Sequence, residues 1–171
     1  SNYNNIEQIK NILLNSYDLY IVTAGYLGNS SKAGYDYEEA QKIVNINYVS
    51  LIPWLINICN DKNLKSNRKL WIFSSVAADR GRPSNYHYGA AKSALNTLCE
   101  GLILKSNNKP FSIRLIKAGI INTPMSEGIG PNLLKVSPKY VAKVLLKNPK
   151  KKGIEYLPWW WGLIMLVIKS L

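Results

Sequence analysis

Apolar residues along this chain fall into two patterns: short continuous runs and longer stretches with helical spacing. Leu19-Tyr20-Ile21-Val22 and Leu70-Trp71-Ile72-Phe73 are continuous runs, which predict short strands buried on both faces. Ser112-Ile-Arg-Leu-Ile116 alternates into a third strand, and Ile154-Glu-Tyr-Leu157 makes a plausible last one. Between these runs, helical spacing covers Ile6 to Leu14, Glu38 to Asn60, Asn85 to about Leu104, and Pro138 to Asn148-Pro149. Strands interleaved with helices predict an open α/β sheet, whose ligands bind outside the carboxyl ends of the strands.

Local signals set the boundaries. Asp36, with Glu39 three residues on, resembles a capping box. The helix it opens is predicted to run unbroken to about Asn60 with a kink at Pro53, and is apolar on several sides. Such a helix needs burial against the sheet and against a second subunit. Asn47 sits within it, and a buried amide there must be hydrogen-bonded. Ser137-Pro138 supplies a cap and a first-turn proline. Leu27 to Tyr35 and Ser126 to Leu134 read as loops, and Asp61 to Arg68 as a polar connection.

At 171 residues and 47% hydrophobic, the chain is expected to form one domain. Cys59 and Cys99 both fall in apparent helices and read as buried free thiols, which suits a reducing cytoplasm. The polar opening Ser1 to Asn5 does not read as a secretory signal. The formal charge is +12, and between Ile103 and Lys152 eleven lysines and arginines face Glu127 alone. That excess suits anionic partners, namely cofactor phosphates or lipid headgroups, or else a solvated lysine-rich surface. No zinc spacing, recognition helix or aromatic RNA-binding motif accompanies it, so nucleic acid is not expected as a partner.

The candidate chemistry lies in Ser74 to Lys92. Tyr88-Gly-Ala-Ala-Lys92 places a phenol and an ammonium on one helix face. A cation beside a phenol lowers a pKa that starts near ~10, which is expected to prepare Tyr88 for acid/base work. Ser75 ends the strand thirteen residues earlier, where it can meet Tyr88. A hydrolase built on Ser75 and His87 is the competing chemistry. It lacks a Gly-x-Ser-x-Gly elbow and an acid to orient the ring.

Ser75 at a strand end followed by Tyr88-x-x-x-Lys92 resembles the signature of the short-chain dehydrogenase/reductase family. The resemblance implies the carboxyl-side portion of a Rossmann-like, doubly wound parallel sheet with helices on both faces. It also implies an NAD- or NADP-dependent oxidoreductase acting on alcohol and carbonyl groups. Tyr88 would then be the acid/base, Ser75 would bind the substrate oxygen, Lys92 would hold ribose hydroxyls, and Asn47 would hold a water for proton relay. Ala24 and Gly25 match the family's cofactor-lining Asn-Asn-Ala-Gly, although Thr23 replaces an asparagine. Gly119, Ile121 and Thr123 match the nicotinamide segment, although Ala118 replaces its proline. The family's helix pairing implies a homodimer. Its glycine-rich phosphate cradle does not occur in this sequence, so the chain alone is not expected to bind cofactor tightly. A non-catalytic fragment or interaction protein is the alternative.

The apolar tail, Pro158 to Leu171, follows Lys150-Lys-Lys152. Its uninterrupted apolar stretch is shorter than the ~20 residues needed to span a bilayer. Tryptophans beside lysines suit a membrane interface, so peripheral attachment to the cytoplasmic face is expected, with packing on the protein's own core as the alternative. The Tyr-Leu-Pro-Trp ending is similar to that of reductases of polyprenyl-phosphate-linked sugars, such as the decaprenylphosphoryl 2-keto-ribose type. That similarity implies a lipid-linked substrate.

Overall fold

Successive side chains of a strand point to opposite faces, so a strand apolar at every position must be covered on both. The computed structural model, which describes residues 6–13, 17–60, 68–106 and 111–170, meets that requirement in the central strands, whereas the expected two-sided burial of the Leu19–Val22 run fails because that strand lies at the sheet edge and leaves Ile21 half exposed. Strands β1 (Leu19–Val22), β2 (Lys69–Ser75), β3 (Ser112–Ala118) and β4 (Gly153–Leu157) form one sheet in the order β1-β2-β3-β4. Every pair is parallel, with Leu19 opposite Lys69, Lys69 opposite Ser112, and Arg114 opposite Gly153.

The helices are α1 (Ile6–Leu13), α2 (Ser30–Ala33), α3 (Tyr37–Asn47), α4 (Ile52–Asn60), α5 (Tyr86–Ser106), α6 (Pro138–Lys147) and α7 (Trp160–Ser170). On one face of the sheet, Leu70, Ile72, Ile113 and Leu115 pack with Leu55 and Ile58 of α4 and Leu95 and Cys99 of α5. On the other, Trp71, Ile116 and Leu157 pack with Val141 and Leu145 of α6. Each fully buried aliphatic side chain contributes about 1.5–3 kcal/mol, so these two layers supply most of the fold's stability. Both cysteines are free and buried.

The expected continuous helix to Asn60 is two helices. α3 stops at Asn47, Tyr48 leaves helical geometry (φ −138°, ψ −63°), and a 3-10 turn spans Val49–Leu51 before α4 begins. The break comes one turn before Pro53 because the proline ring excludes the carbonyl four residues back, that of Val49. The carbonyls of Ile43 and Ile46 near the break are taken by the Asn47 and Ser50 side chains. By length and mean hydropathy (1.2) the stretch Tyr37–Asn60 passes for a membrane span. In the fold it is bent, opens with two glutamates, and packs on the sheet and α5.

Three other expectations change in detail. Asp36 does cap α3, accepting from the Glu38 and Glu39 N–H groups, but Glu39 turns away to bind Tyr26 Oη (2.9 Å) and the Asn29 N–H (2.8 Å). The 27–35 loop contains α2, capped by Asn29, and the 126–134 segment contains a 3-10 turn at Asn132–Leu134. Most of the 61–68 connection lies outside the described residues.

The tail forms α7 and docks by one stripe. Trp161 and Met165 are buried against Val76, with Ile120, Leu134 and Tyr156 alongside. The opposite side leaves Trp159 (68% exposed), Leu163, Leu166 and Val167 in the open. The Lys150–Lys152 run is not beside these tryptophans, because β4 separates them by its whole length. Lys151 is instead paired with Glu155 at 2.5 Å.

Candidate active site

Ser75 closes β2, and the chain turns at once into a 3-10 segment, Val76–Asp79. The Ser75 Oγ accepts the Ala77 N–H at 3.1 Å, which leaves its own hydrogen free to be donated. α5 approaches this turn closely at Gly89, where a β-carbon would lie 2.8 Å from the Ala77 carbonyl oxygen. No larger residue fits there without moving the helix away from Ser75.

That approach brings Tyr88 to Ser75. Burial pushes the Tyr88 phenol above its ordinary pKa, and its hydrogen-bonding interaction with Ser75 acts the other way. The expected lowering by Lys92 is not what the geometry produces. The Lys92 Nζ sits 5.9 Å from the centre of the Tyr88 ring and donates to the Phe73 carbonyl at 3.3 Å. Burial pulls Lys92 itself down to about 8. An ammonium with that value is still mostly protonated at pH 7, by about ten to one.

Asn47 is fully buried and its amide is satisfied by backbone. Nδ2 donates to the carbonyls of Tyr26 (2.6 Å) and Ile43 (2.8 Å), and Oδ1 accepts the Tyr26 N–H (3.2 Å). It therefore ties α3 to the segment leaving β1. Gly25 lies between Asn47 and Lys92: a β-carbon there would be 3.3 Å from Asn47 Oδ1 and 3.6 Å from Lys92 Nζ. Ala24 beside it is exposed. Glu39 secures the same segment further on, and hydrogen bonds from the Asn29 N–H and Tyr26 hold its carboxyl below the usual range.

On the other side, Gly119 leaves β3 with its N–H bonded to the Leu157 carbonyl, and Ile121 bridges to Val136. Thr123 heads the Pro124–Ser126 turn, where Ser126 Oγ accepts the Thr123 N–H at 3.2 Å. A polar cavity of about 360 Å³ opens here, lined by Asn122, Thr123, Pro124, Glu127, Gly128 and Lys135. The structure thus gathers Ser75, Tyr88 and Lys92 together, with Gly25 and Asn47 adjoining Lys92. Thr123 lines the cavity at the β3 exit, and Met125 of its turn reaches the same place, 3.8 Å from where a β-carbon at Gly25 would lie.

Sequence reasoning missed Asp79. Its buried carboxylate binds Lys117 Nζ (2.8 Å) and the Tyr156 hydroxyl (2.5 Å), with Lys169 Nζ at 3.8 Å. Burial alone would raise its pKa, but the Lys117 and Tyr156 hydrogen bonds outweigh it and the carboxyl stays low. Nothing in the sequence pairs these residues, which come from four separate segments. His87 stacks on Tyr86, ring centres 4.3 Å apart, and no hydrogen bond joins it to Ser75 among the described residues. The hydrolase arrangement is not formed.

A parallel α/β sheet with a serine, a tyrosine and a lysine converging beyond a strand's carboxyl end defines a Rossmann-like oxidoreductase class. The family model for short chain dehydrogenase matches residues 3–133, and the chain belongs to that family of oxidoreductases. An uncharacterized oxidoreductase of Mycobacterium tuberculosis, Rv2073c, is 30% identical over 140 residues, covering 81% of this chain and 56% of that protein. The chain therefore spans little more than half the length of this curated relative. A short chain dehydrogenase from Burkholderia cenocepacia, solved in complex with NADP, superposes with a TM-score of 0.74 at 23% identity over 91% of this chain and 66% of its own. A Brucella melitensis structure described as a ribose-5-phosphate isomerase superposes at 0.72 with 16% identity, covering 87% and 65%. Likeness at such identities shows the fold, which hosts several activities.

Proposed function

We propose that this chain carries the catalytic centre of an NAD- or NADP-dependent oxidoreductase that interconverts a carbonyl and an alcohol. The observation that carries the reading is the meeting of Ser75 and Tyr88 beside a buried Lys92. The donor set fits a nicotinamide nucleoside. Gly25 keeps the space beside Lys92 clear, and Lys92 uses one N–H on Phe73, leaving two for ribose hydroxyls. The glycine-rich motif that forms a pyrophosphate cradle does not occur in this sequence.

The cofactor, when bound, supplies or accepts the hydride. In reduction, Tyr88 donates its phenolic proton to the carbonyl oxygen as that oxygen gains charge, and in oxidation the phenolate takes the alcohol proton back. A phenol kept protonated by burial is ready for the reducing direction. Ser75, one of whose two lone pairs accepts the Ala77 N–H, donates its hydrogen to the same oxygen. Asn47 holds the Tyr26 segment in place beside this centre.

The exposed apolar side of α7 favours an amphiphilic or lipid-linked substrate met at a membrane surface. Exposed Val49 and Ile56 on the α3–α4 unit and Leu104 on α5 favour a homodimer through these helices. The test of the chemistry is turnover of the full-length protein with NADH or NADPH and a carbonyl panel. Tyr88→Phe is expected to lose at least about a hundredfold, and unchanged turnover overturns the assignment.

A further inference from the structure

Besides packing on β4, α7 is fastened to residues 76–85, which lead from Ser75 toward Tyr88. Three polar side chains of that segment reach α7, in addition to the packing of Val76 on Trp161 and Met165. Asp79 faces Lys169, Arg80 donates to the Ile168 carbonyl, and Arg82 reaches Met165 Sδ at 3.5 Å. Asp79 also binds Lys117 at the end of β3 and Tyr156 in β4, so one carboxylate joins the segment to two strands and a helix. At its amino end α7 bears on a second part of the site, because Trp161 packs on Gly119 at the start of the loop carrying Thr123.

We propose that α7 is a brace for the catalytic centre, and that Asp79 is the positioning residue that couples the helix to the Ser75–Tyr88 segment. Short turns outside a sheet are held mainly by their own contacts, and beyond the 3-10 turn Val76–Asp79 the backbone bonds described for this one are Asn85 N–H to Arg82 O and then Gly89 N–H to Asn85 O. Its side-chain anchors therefore set where Ser75 and Tyr88 sit relative to each other. A surface that engages the exposed side of α7 would act on the reacting groups through the same anchors. The proposal rests on reading Ser75 and Tyr88 as the reacting pair, but its test needs no turnover.

The experiment is hydrogen exchange on the full chain, with tyrosine labelled at ¹³Cζ and the Tyr88 resonance assigned by Tyr88→Phe. Asp79→Asn is compared with Glu155→Gln, which breaks another buried ion pair in β4, to Arg114, without touching residues 76–88. Asp79→Asn is expected to speed exchange over 76–88 and 119–123 by about tenfold or more, while 69–75 and 112–118 keep their protection. The Tyr88 signal should move with it. Lys169→Met should do the same to a smaller degree, and Glu155→Gln should leave both readouts at their wild-type values. Equal effects from Glu155→Gln would reduce Asp79 to a general structural residue and overturn the proposal. So would unchanged exchange over 76–88 in Asp79→Asn. If Asp79→Asn does not fold, Lys169→Met decides by itself, since the lysine is half exposed and its loss is tolerable.

Discussion

Trp161 occupies the space that a side chain at Gly119 would need: a β-carbon built there would lie 1.9 Å from the indole Nε1. Gly119→Ala must therefore displace the indole, and is expected to cost about 1–3 kcal/mol as overpacking does. In a Trp161→Ala background the same change should be nearly neutral. A double-mutant cycle by urea unfolding checks this, and additive losses would mean that the two residues do not compete for the space.

Lys92 links stability to pH. Its pKa falls from 10.5 to about 8 on folding because burial disfavours the ammonium. Between those values the unfolded chain binds more protons than the folded one, so this group makes stability rise with pH across the window from 8 to 10.5. Below 8 the folded protein carries the full penalty. Lys92→Met is expected to stabilise the fold at pH 7 by roughly 1–3 kcal/mol and to remove that part of the slope. Urea midpoints measured for both proteins at pH 7, 8, 9.5 and 10.5 test it. A variant no more stable at pH 7 contradicts the buried-cation account.

Asn47 makes three hydrogen bonds to backbone, two as donor and one as acceptor. Asn47→Ala leaves the Tyr26 N–H and carbonyl without these partners and should cost about 1–3 kcal/mol. Asn47→Asp should cost more, because a carboxylate would face two carbonyl oxygens that now receive an N–H. Denaturant unfolding that ranks Asp as the milder change would show that Asn47 is not held as described.

The 171-residue chain is expected to bind NADH and NADPH weakly by itself, for want of a phosphate cradle in its sequence. Isothermal calorimetry gives the answer directly. A micromolar dissociation constant on this polypeptide would mean that the Gly25, Lys92 and Thr123 region binds cofactor without it.

Membrane attachment is best tested without cutting the tail off, since truncation at Leu157 also strips Trp161 and Met165 from the core. Replacing the outward Trp159, Leu163, Leu166 and Val167 with serine or glutamine leaves the docked stripe intact. The substituted protein is expected to lose flotation with anionic vesicles while keeping its unfolding midpoint. Equal retention of both proteins would mean that this face is not what meets the membrane, and would leave it to another copy of the chain.

The sequence by itself determined the four strands, most of the helices between them, and the spacing that lets Ser75, Tyr88 and Lys92 come together. These depend on periodicity and on spacing within one or two neighbouring elements, which side-chain geometry dictates locally. The helix break one turn before Pro53 was half legible, since a proline forbids continuity but does not say where the chain gives way. Glu39 looked like a cap because its spacing is right for one; the loop after β1 offered it Tyr26 and Asn29 instead. Only the tertiary structure decided that burial, rather than the lysine, dominates the Tyr88 pKa, because desolvation depends on every element packed around the phenol. The same holds for the tail, whose spacing is compatible with a membrane or a core. Gly119, Arg80, Arg82 and Asp79 dock it on the site's own segments, and they come from distant parts of the chain that meet only once the sheet has formed.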